Sequence, residues 1–219
     1  MQALVVKKQI TYICLFLCSC VSPQVFAQFQ SQPQPNTNTN TAKPAAASTK
    51  NKTENFPKQI QVEGVKLSLN GLGTRYKAIF KVYDMGLYAT TKVSTLQDLT
   101  AAPGPKRLHF VAQRELPGTD LGVLFLRGMR ENSSPELNTK YAASANRLVE
   151  IFSGKSKLLS DESFSIEFVP GKGTTFYIMD KPQGAAVGDA EFFGMILRIW
   201  LGSVPADYKL KDALLNASS

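Results

Sequence analysis

The order in which hydrophobic periodicity changes along the chain constrains its fold more than any other feature. From residue 59 onward, stretches that alternate apolar and polar residues precede stretches with apolar residues at helical spacing, and the order then repeats. The pattern predicts strands at 61–69, 75–88 and 107–112, helices within 119–154, strands at 164–168 and 174–179, and helices at 190–201 and from about 205 to 215. This order predicts an α+β fold, a mainly antiparallel sheet packed by a layer of helices.

Turn and cap residues predict where these elements begin and end. Residues 70–73 (Asn-Gly-Leu-Gly) tolerate positive φ and predict a tight turn that joins the first two strands into a hairpin. The Pro-Gly-Pro run within 95–105 predicts irregular structure. Thr119 or Asp120 is the predicted N-cap of the first long helix, Pro135 opens the next, and Ser203 and Pro205 lead into the last.

Residues 1–27 have the pattern of a cleaved secretory signal peptide. Lys7 and Lys8 precede an apolar run at 10–21, and Val25-Phe26-Ala27 predicts cleavage before Gln28. The apolar run is shorter than the roughly 20 residues needed to cross a bilayer. The alternative is lipid anchoring at Cys20, since Leu17-Cys18-Ser19-Cys20 loosely resembles a bacterial lipobox. Both interpretations predict export in a bacterium, and the first predicts a periplasmic protein.

Residues 28–58 are predicted to be a disordered polar linker, because large apolar side chains are almost absent from them. The question of function therefore concerns residues 59–219, the predicted globular domain. All three cysteines lie in the first 20 residues, so the cleaved chain can form no disulfide and no cysteine-based metal site. Leader and linker hold five of the eight net positive charges, which makes the positive charge a weak argument for nucleic acid.

Motifs for metal, nucleotide or hydrolytic chemistry are absent from the sequence. The single histidine, His109, lies within a predicted strand without carboxylates at ligand spacing, so it is interpreted as a strand-face residue. The Gly171-Lys172-Gly173-Thr174 run lies between two predicted strands and is interpreted as a hairpin turn, not a phosphate loop. No Gly-x-Ser-x-Gly motif occurs. No metal and no cofactor are predicted.

Two segments resemble a known family. The runs at 71–75 (GLGTR) and 81–88 (KVYDMGLY) resemble the opening hairpin of the chalcone isomerase superfamily, and 198–205 (RIWLGSVP) with 209–215 resembles the ending of its bacterial exported members. The resemblance covers about 62–216. It implies a chalcone isomerase-like open-faced sandwich, with a ligand cleft between the sheet and a helical layer.

The resemblance also implies roles for individual residues. In the plant enzymes the arginine matching Arg75 stabilises negative charge on the substrate, and in fatty-acid-binding relatives it holds a carboxylate together with a tyrosine of the following strand. Tyr88 is the better match to that tyrosine and Tyr83 is the alternative. A guanidinium suits this role because its planar donors match a carboxylate. The apolar residues of the next helix are expected to form a cleft wall, with core packing as the alternative: Leu121, Leu124, Phe125 and Met129.

The polar helix residues of the plant enzymes are missing, because their tyrosine and asparagine positions fall at about Leu121 and Gly128. We therefore expect a non-catalytic periplasmic protein that binds a small amphipathic, fatty-acid-like or aromatic acid, without nucleic acid, metal or a transmembrane segment in the mature chain. One alternative is a chalcone isomerase-type intramolecular lyase, an isomerase in which Arg75 would be catalytic with Tyr83 and Asn132. A second alternative is an interaction module of the cell envelope.

Overall fold

A computed structural model of the chain describes residues Lys52–Asn216. The predicted signal peptide, its cleavage site, Cys20 and most of the predicted linker lie outside the described residues. Among the described residues no helix is both long and apolar enough to span a membrane.

Within Lys52–Asn216 the main sheet has seven strands, and every neighbouring pair in it is antiparallel. Its order is β1-β2-β3-β4-β7-β8-β9, and β5 and β6 form a separate small pair. The strands are β1 Gln59–Val62, β2 Val65–Lys77, β3 Phe80–Ala89, β4 Lys106–Ala112, β5 Leu116–Pro117, β6 Lys157–Leu158, β7 Ser163–Val169, β8 Gly173–Ile178 and β9 Lys181–Pro182.

The helices are α1 Lys52–Asn55, α2 Leu96–Ala101, α3 Gly118–Glu131, α4 Pro135–Lys140, α5 Ala142–Ser153, α6 Ala190–Leu201 and α7 Tyr208–Leu215. Strands and helices are segregated along the chain, so the predicted α+β class with a mainly antiparallel sheet is confirmed.

The main core lies between one face of the sheet and helices α3, α5 and α6. Trp200 of α6 is completely buried and contacts Phe110 of β4 and Phe125 of α3, with ring centres 5.0 and 5.5 Å apart. Phe110 in turn stacks on Phe164 of β7 at 4.2 Å. Aromatic pairs of this kind add about 0.5–1.5 kcal/mol each to the free energy gained by burial.

The predicted turn at residues 70–73 is wrong, because β2 continues through it and the chain reverses at residues 78–79 instead. The glycines serve close approach: a Cβ on Gly71 would lie 2.3 Å from the main-chain oxygens of Ala213 and Leu214 in α7. The reversal is made by Ala78, which has a φ of 53°. Arg75 therefore lies near the end of a long strand and not directly after a turn.

Helix ends also differ from the sequence predictions. α3 begins at Gly118, and Pro117 occupies its N-cap without a side-chain hydrogen bond, so the Thr119 or Asp120 cap is wrong. The 95–105 region contains α2, which Thr95 starts through a capping box. Residues 135–154 form two helices, α4 and α5, and Asp207 caps α7.

The opposite face of the sheet carries a second buried layer, which contains both polar side chains and a small apolar cluster. His109 is on a strand, as predicted, and lies on this face with its Nδ1 2.8 Å from Ser165 Oγ. Burial, with a smaller contribution from Arg107, lowers the pKa of His109 to about 4. Phe56 covers this layer at a ring-centre distance of 5.3 Å from His109, so this residue of the predicted linker 28–58 packs on the domain. No cluster of metal-ligand side chains occurs within Lys52–Asn216.

Candidate functional site

A cleft of about 470 Å³ opens beside the end of the β2–β3 hairpin, between the sheet and α3. The sheet contributes Arg75, Lys77, Val82 and Tyr83 to its lining. The opposite wall comes from α3, from Ile199 of α6 and from the loop that follows α6. The cleft thus lies at the junction of the sheet and the helical layer.

Arg75 places a positive charge at the inner end of the cleft. It pairs with Tyr83 across the β2–β3 ladder, and its guanidinium carbon lies 5.7 Å from the centre of the Tyr83 ring. The Nε–H of Arg75 is buried and has no acceptor in the described part of the chain. No carboxylate lies within ion-pair distance of Arg75 among those residues. A buried donor without an acceptor costs about 1–3 kcal/mol, more when charged, so Arg75 is ready to bind an anion.

Tyr83 adds a second donor next to Arg75. Its side chain is 1% exposed, and its hydroxyl oxygen accepts a 2.7 Å hydrogen bond from Trp200 Nε1. Burial raises the pKa of Tyr83 above its usual value, and the nearby charge of Arg75 opposes only part of this shift. The hydroxyl therefore keeps its proton at neutral pH. Because the oxygen accepts from Trp200, the hydroxyl proton is the part of Tyr83 that can be donated to a bound ligand.

The rest of the cleft is mainly apolar. Leu121 and Phe125 are buried in the core and also line the cleft, and Leu124, which is 44% exposed, extends the same wall toward solvent. Ile199 and Val204 line the cleft opposite the sheet. This combination of an apolar wall and a few convergent donors is typical of small-molecule sites.

Two ion pairs involve charged residues that line the cleft. Arg127 and Glu131, both in the lining, form an ion pair at 2.7 Å, and Glu115 is paired with Lys157 at 2.8 Å. The cleft thus has a donor-rich inner end, and two of the acidic residues that line it are paired with basic residues.

Not all of the predicted ligand residues line this cleft. Arg75, Tyr83, Leu121 and Phe125 do, as does Leu124, but Tyr88 and Met129 do not. Met129 is buried in the main core.

Tyr88 lies on the opposite face of the sheet. It is five positions after Tyr83, and side chains of a strand alternate between faces. Tyr88 packs with Val62 and Leu67, its hydroxyl has no hydrogen-bond partner in the described residues, and burial raises its pKa to about 12. The structure thus places Tyr83, and not the preferred Tyr88, beside Arg75.

The sequence reasoning missed the contributions of α6 and the loop after it. Trp200 donates a hydrogen bond to the Tyr83 hydroxyl, and Ile199 and residues 204–206 line the cleft. The signal that could have indicated them is the family-like run at 198–205, because all of these residues lie within it or directly after it. Asn132, a candidate for catalysis in the lyase alternative, uses its amide to bond Gly128 O, Val204 O and Val204 N. Its role in this structure is to fasten that loop to α3.

Comparisons with known proteins bear on this fold. A family model described as chalcone isomerase-like matches residues 48–216. A crystal structure of a fatty-acid binding protein from Arabidopsis thaliana is similar, with a TM-score of 0.59 and 16% sequence identity over 74% of this chain and 91% of that chain. A search of curated proteins gives no match. At this identity the structural likeness concerns the fold.

Proposed function

Because the chain belongs to the chalcone isomerase-like family, with a match over residues 48–216, we propose that it is a non-catalytic binder of a small amphipathic acid. The observation that carries the proposal is the buried Arg75 Nε–H, which has no acceptor in the described residues and lies next to the Tyr83 hydroxyl at the inner end of the cleft. The similar fold of a protein described as a fatty-acid binding protein supports this ligand class.

In this proposal the carboxylate accepts hydrogen bonds from Arg75 and Tyr83 at the same time. Charge-assisted bonds of this kind contribute about 1.5–3 kcal/mol where water is excluded. The bond from Trp200 to the Tyr83 oxygen orients the hydroxyl and polarises it toward the ligand. A neutral Tyr83 is required, since a phenolate would repel the carboxylate, and its raised pKa meets that requirement.

The tail of the acid lies along the apolar wall formed by Leu121, Leu124, Phe125 and Ile199. The cleft volume of about 470 Å³ is within the range of roughly 300–1,000 Å³ that is usual for small-molecule sites. We propose a chain of fatty-acid type because this wall offers mainly apolar contact.

Calorimetric titration with decanoate and with decanol tests the role of the charge. Replacing Arg75 by Met is expected to lower the affinity for decanoate by about 10- to 100-fold and to leave that for decanol nearly unchanged. Arg130→Met is the matched control, because Arg130 is exposed on α3 and does not line the cleft. Equal decanoate affinity of the Arg75→Met and Arg130→Met variants would contradict the proposal.

We also propose that the protein is exported to the periplasm of a bacterium. The support is the basic and apolar pattern of residues 1–27. An intact mass of the purified native protein that corresponds to a chain beginning at Gln28 is expected. A mass that includes the leader, or a lipid on Cys20, would contradict the soluble periplasmic location.

A further inference from the structure

The tip of the β2–β3 hairpin, residues 77–81, exposes two large apolar side chains. Ile79 is 83% exposed and Phe80 is 61% exposed, although they are neighbours in sequence at the most prominent position of the hairpin. A single exposed apolar residue is ordinary on a protein surface. Ile79 and Phe80, adjacent at a hairpin tip, form a small apolar patch that can enter an apolar environment.

Positive charge flanks this apolar patch. Lys77 and Lys81 stand on either side of it, and residues 75–83 contain no Asp or Glu. Neither lysine has a carboxylate within ion-pair distance among residues Lys52–Asn216. The tip therefore presents two apolar side chains between two lysines that have no acidic partner in the described residues.

The tip is continuous with the cleft. Lys77 and Val82, at the base of the tip, both line it, and exposed apolar Leu124 and Val204 line its other side. The backbone N–H of Tyr76 donates a 3.1 Å hydrogen bond to Asp207, the residue that caps α7. The base of the hairpin is thus fastened to the helical layer, and whatever the tip contacts also lies close to the mouth of the cleft.

We propose that the hairpin tip docks on an anionic lipid bilayer. Ile79 and Phe80 enter the boundary between headgroups and acyl chains, and Lys77 and Lys81 pair with anionic headgroups. The mouth of the cleft then faces lipid, so that an amphipathic acid passes between bilayer and cleft without dissolving in water. The transfer step rests on the proposed function, whereas the docking itself does not.

Size and charge favour a bilayer over a protein partner. A stable protein interface needs about 800 Å² on each partner, far more than two side chains at a hairpin tip supply. A second copy of the chain would bring two positively charged tips together. An anionic bilayer needs only a small apolar insertion with adjacent cations.

Cosedimentation with vesicles, without any fatty acid, tests the docking. The full chain is expected to bind vesicles of phosphatidylcholine with phosphatidylglycerol, to bind pure phosphatidylcholine vesicles more weakly, and to lose binding as salt is added. The Ile79→Ser/Phe80→Ser variant is expected to bind at least about tenfold more weakly, and Lys81→Gln about fivefold more weakly.

Matched controls lie at the opposite end of β2, roughly 40 Å away along a strand of this length. Val65 is 39% exposed and Lys66 is also exposed, so Val65→Ser and Lys66→Gln repeat the chemistry outside the tip. These controls are expected to bind vesicles as the unmodified chain does. Equal binding of the tip variants and the controls, or no preference for phosphatidylglycerol, would overturn the proposal.

A second measurement separates docking from cargo binding. The Ile79→Ser/Phe80→Ser variant is expected to keep the decanoate affinity of the unmodified chain in vesicle-free solution and to transfer a fluorescent fatty acid to vesicles at least several-fold more slowly. Absence of decanoate binding by the unmodified chain would refute the proposed function but leave the sedimentation result intact. A dimer in solution that this variant abolishes would overturn the docking proposal in favour of a second copy.

Discussion

Replacing Tyr83 by Phe should destabilise the domain although it removes only one oxygen atom. Trp200 Nε1 is buried, and the Tyr83 hydroxyl is its acceptor at 2.7 Å. The variant fills nearly the same volume, so its main cost is the buried donor left unpaired, about 1–3 kcal/mol. For a domain of this size each kcal/mol lowers Tm by about 2–4 °C, so we expect a decrease of roughly 2–12 °C.

Urea unfolding at neutral pH measures this cost without ligand. The midpoint is expected to fall with an unchanged m-value, which indicates a change in stability alone. Tyr208→Phe is the matched control, because Tyr208 is 64% exposed and its hydroxyl donates a long bond of 3.3 Å to Ser203 O. We expect the control to change the free energy of unfolding by less than about 0.5 kcal/mol.

A double-mutant cycle with Trp200→Phe assigns the cost to this hydrogen bond. Trp200→Phe destabilises the domain by itself because it leaves a cavity. In that background, however, Tyr83→Phe no longer leaves the indole N–H of Trp200 without an acceptor, because the indole is gone. The cost of Tyr83→Phe should therefore shrink. The reasoning is refuted if Tyr83→Phe costs no more than Tyr208→Phe, or if its full cost persists in the Trp200→Phe background.

Two further predictions concern other parts of the domain. Gly71→Ala should lower the free energy of unfolding by at least about 1–3 kcal/mol, because the new Cβ meets main-chain oxygens of α7 at 2.3 Å. Gly194→Ala on α6, where the nearest atom is 4.0 Å from the Cβ, should be neutral or stabilising in the same urea experiment. His109 has a folded pKa of about 4 against 6.5 normally, so the unfolded chain binds the proton first as the pH falls. The free energy of unfolding should drop by up to about 3 kcal/mol between pH 6.5 and 4. His109→Gln should remove most of that slope, and an unchanged slope would show that other groups cause it.

The sequence was sufficient to predict the α+β class of the fold, because the spacing of apolar residues shows which side of each strand or helix is buried. The alternation at 164–168 and the helical spacing at 190–201 correspond to β7 and α6 within a few residues. The glycines at 71 and 73 misled the prediction of a turn, because glycine serves both positive φ and close approach. Only the contact with α7, distant in sequence, distinguishes the two roles.

The candidate site was predicted in part, because some of its residues follow local sequence patterns. Arg75, Leu121 and Phe125 were found because one hairpin and one helix face carry them. The choice between Tyr83 and Tyr88 depended on which face of β3 meets the helices. That face is set by the register of β3 against β2, where two irregularities shift the pairing. The bond between Tyr83 and Trp200 joins residues 117 positions apart, which no local pattern could indicate.

The contact between α7 and β2 has a consequence for the order of folding. Asn70 on β2 donates a hydrogen bond to Leu214 O, which is 144 positions later in the chain, and the adjacent glycines let α7 lie against the strand that carries Arg75. Contacts between such distant segments form slowly, since a long loop must close first. We therefore expect the cleft to be completed late, once α7 has packed against β2. A nascent chain stalled before residue 208 should fail to retain decanoate, and retention by such a chain would contradict this order.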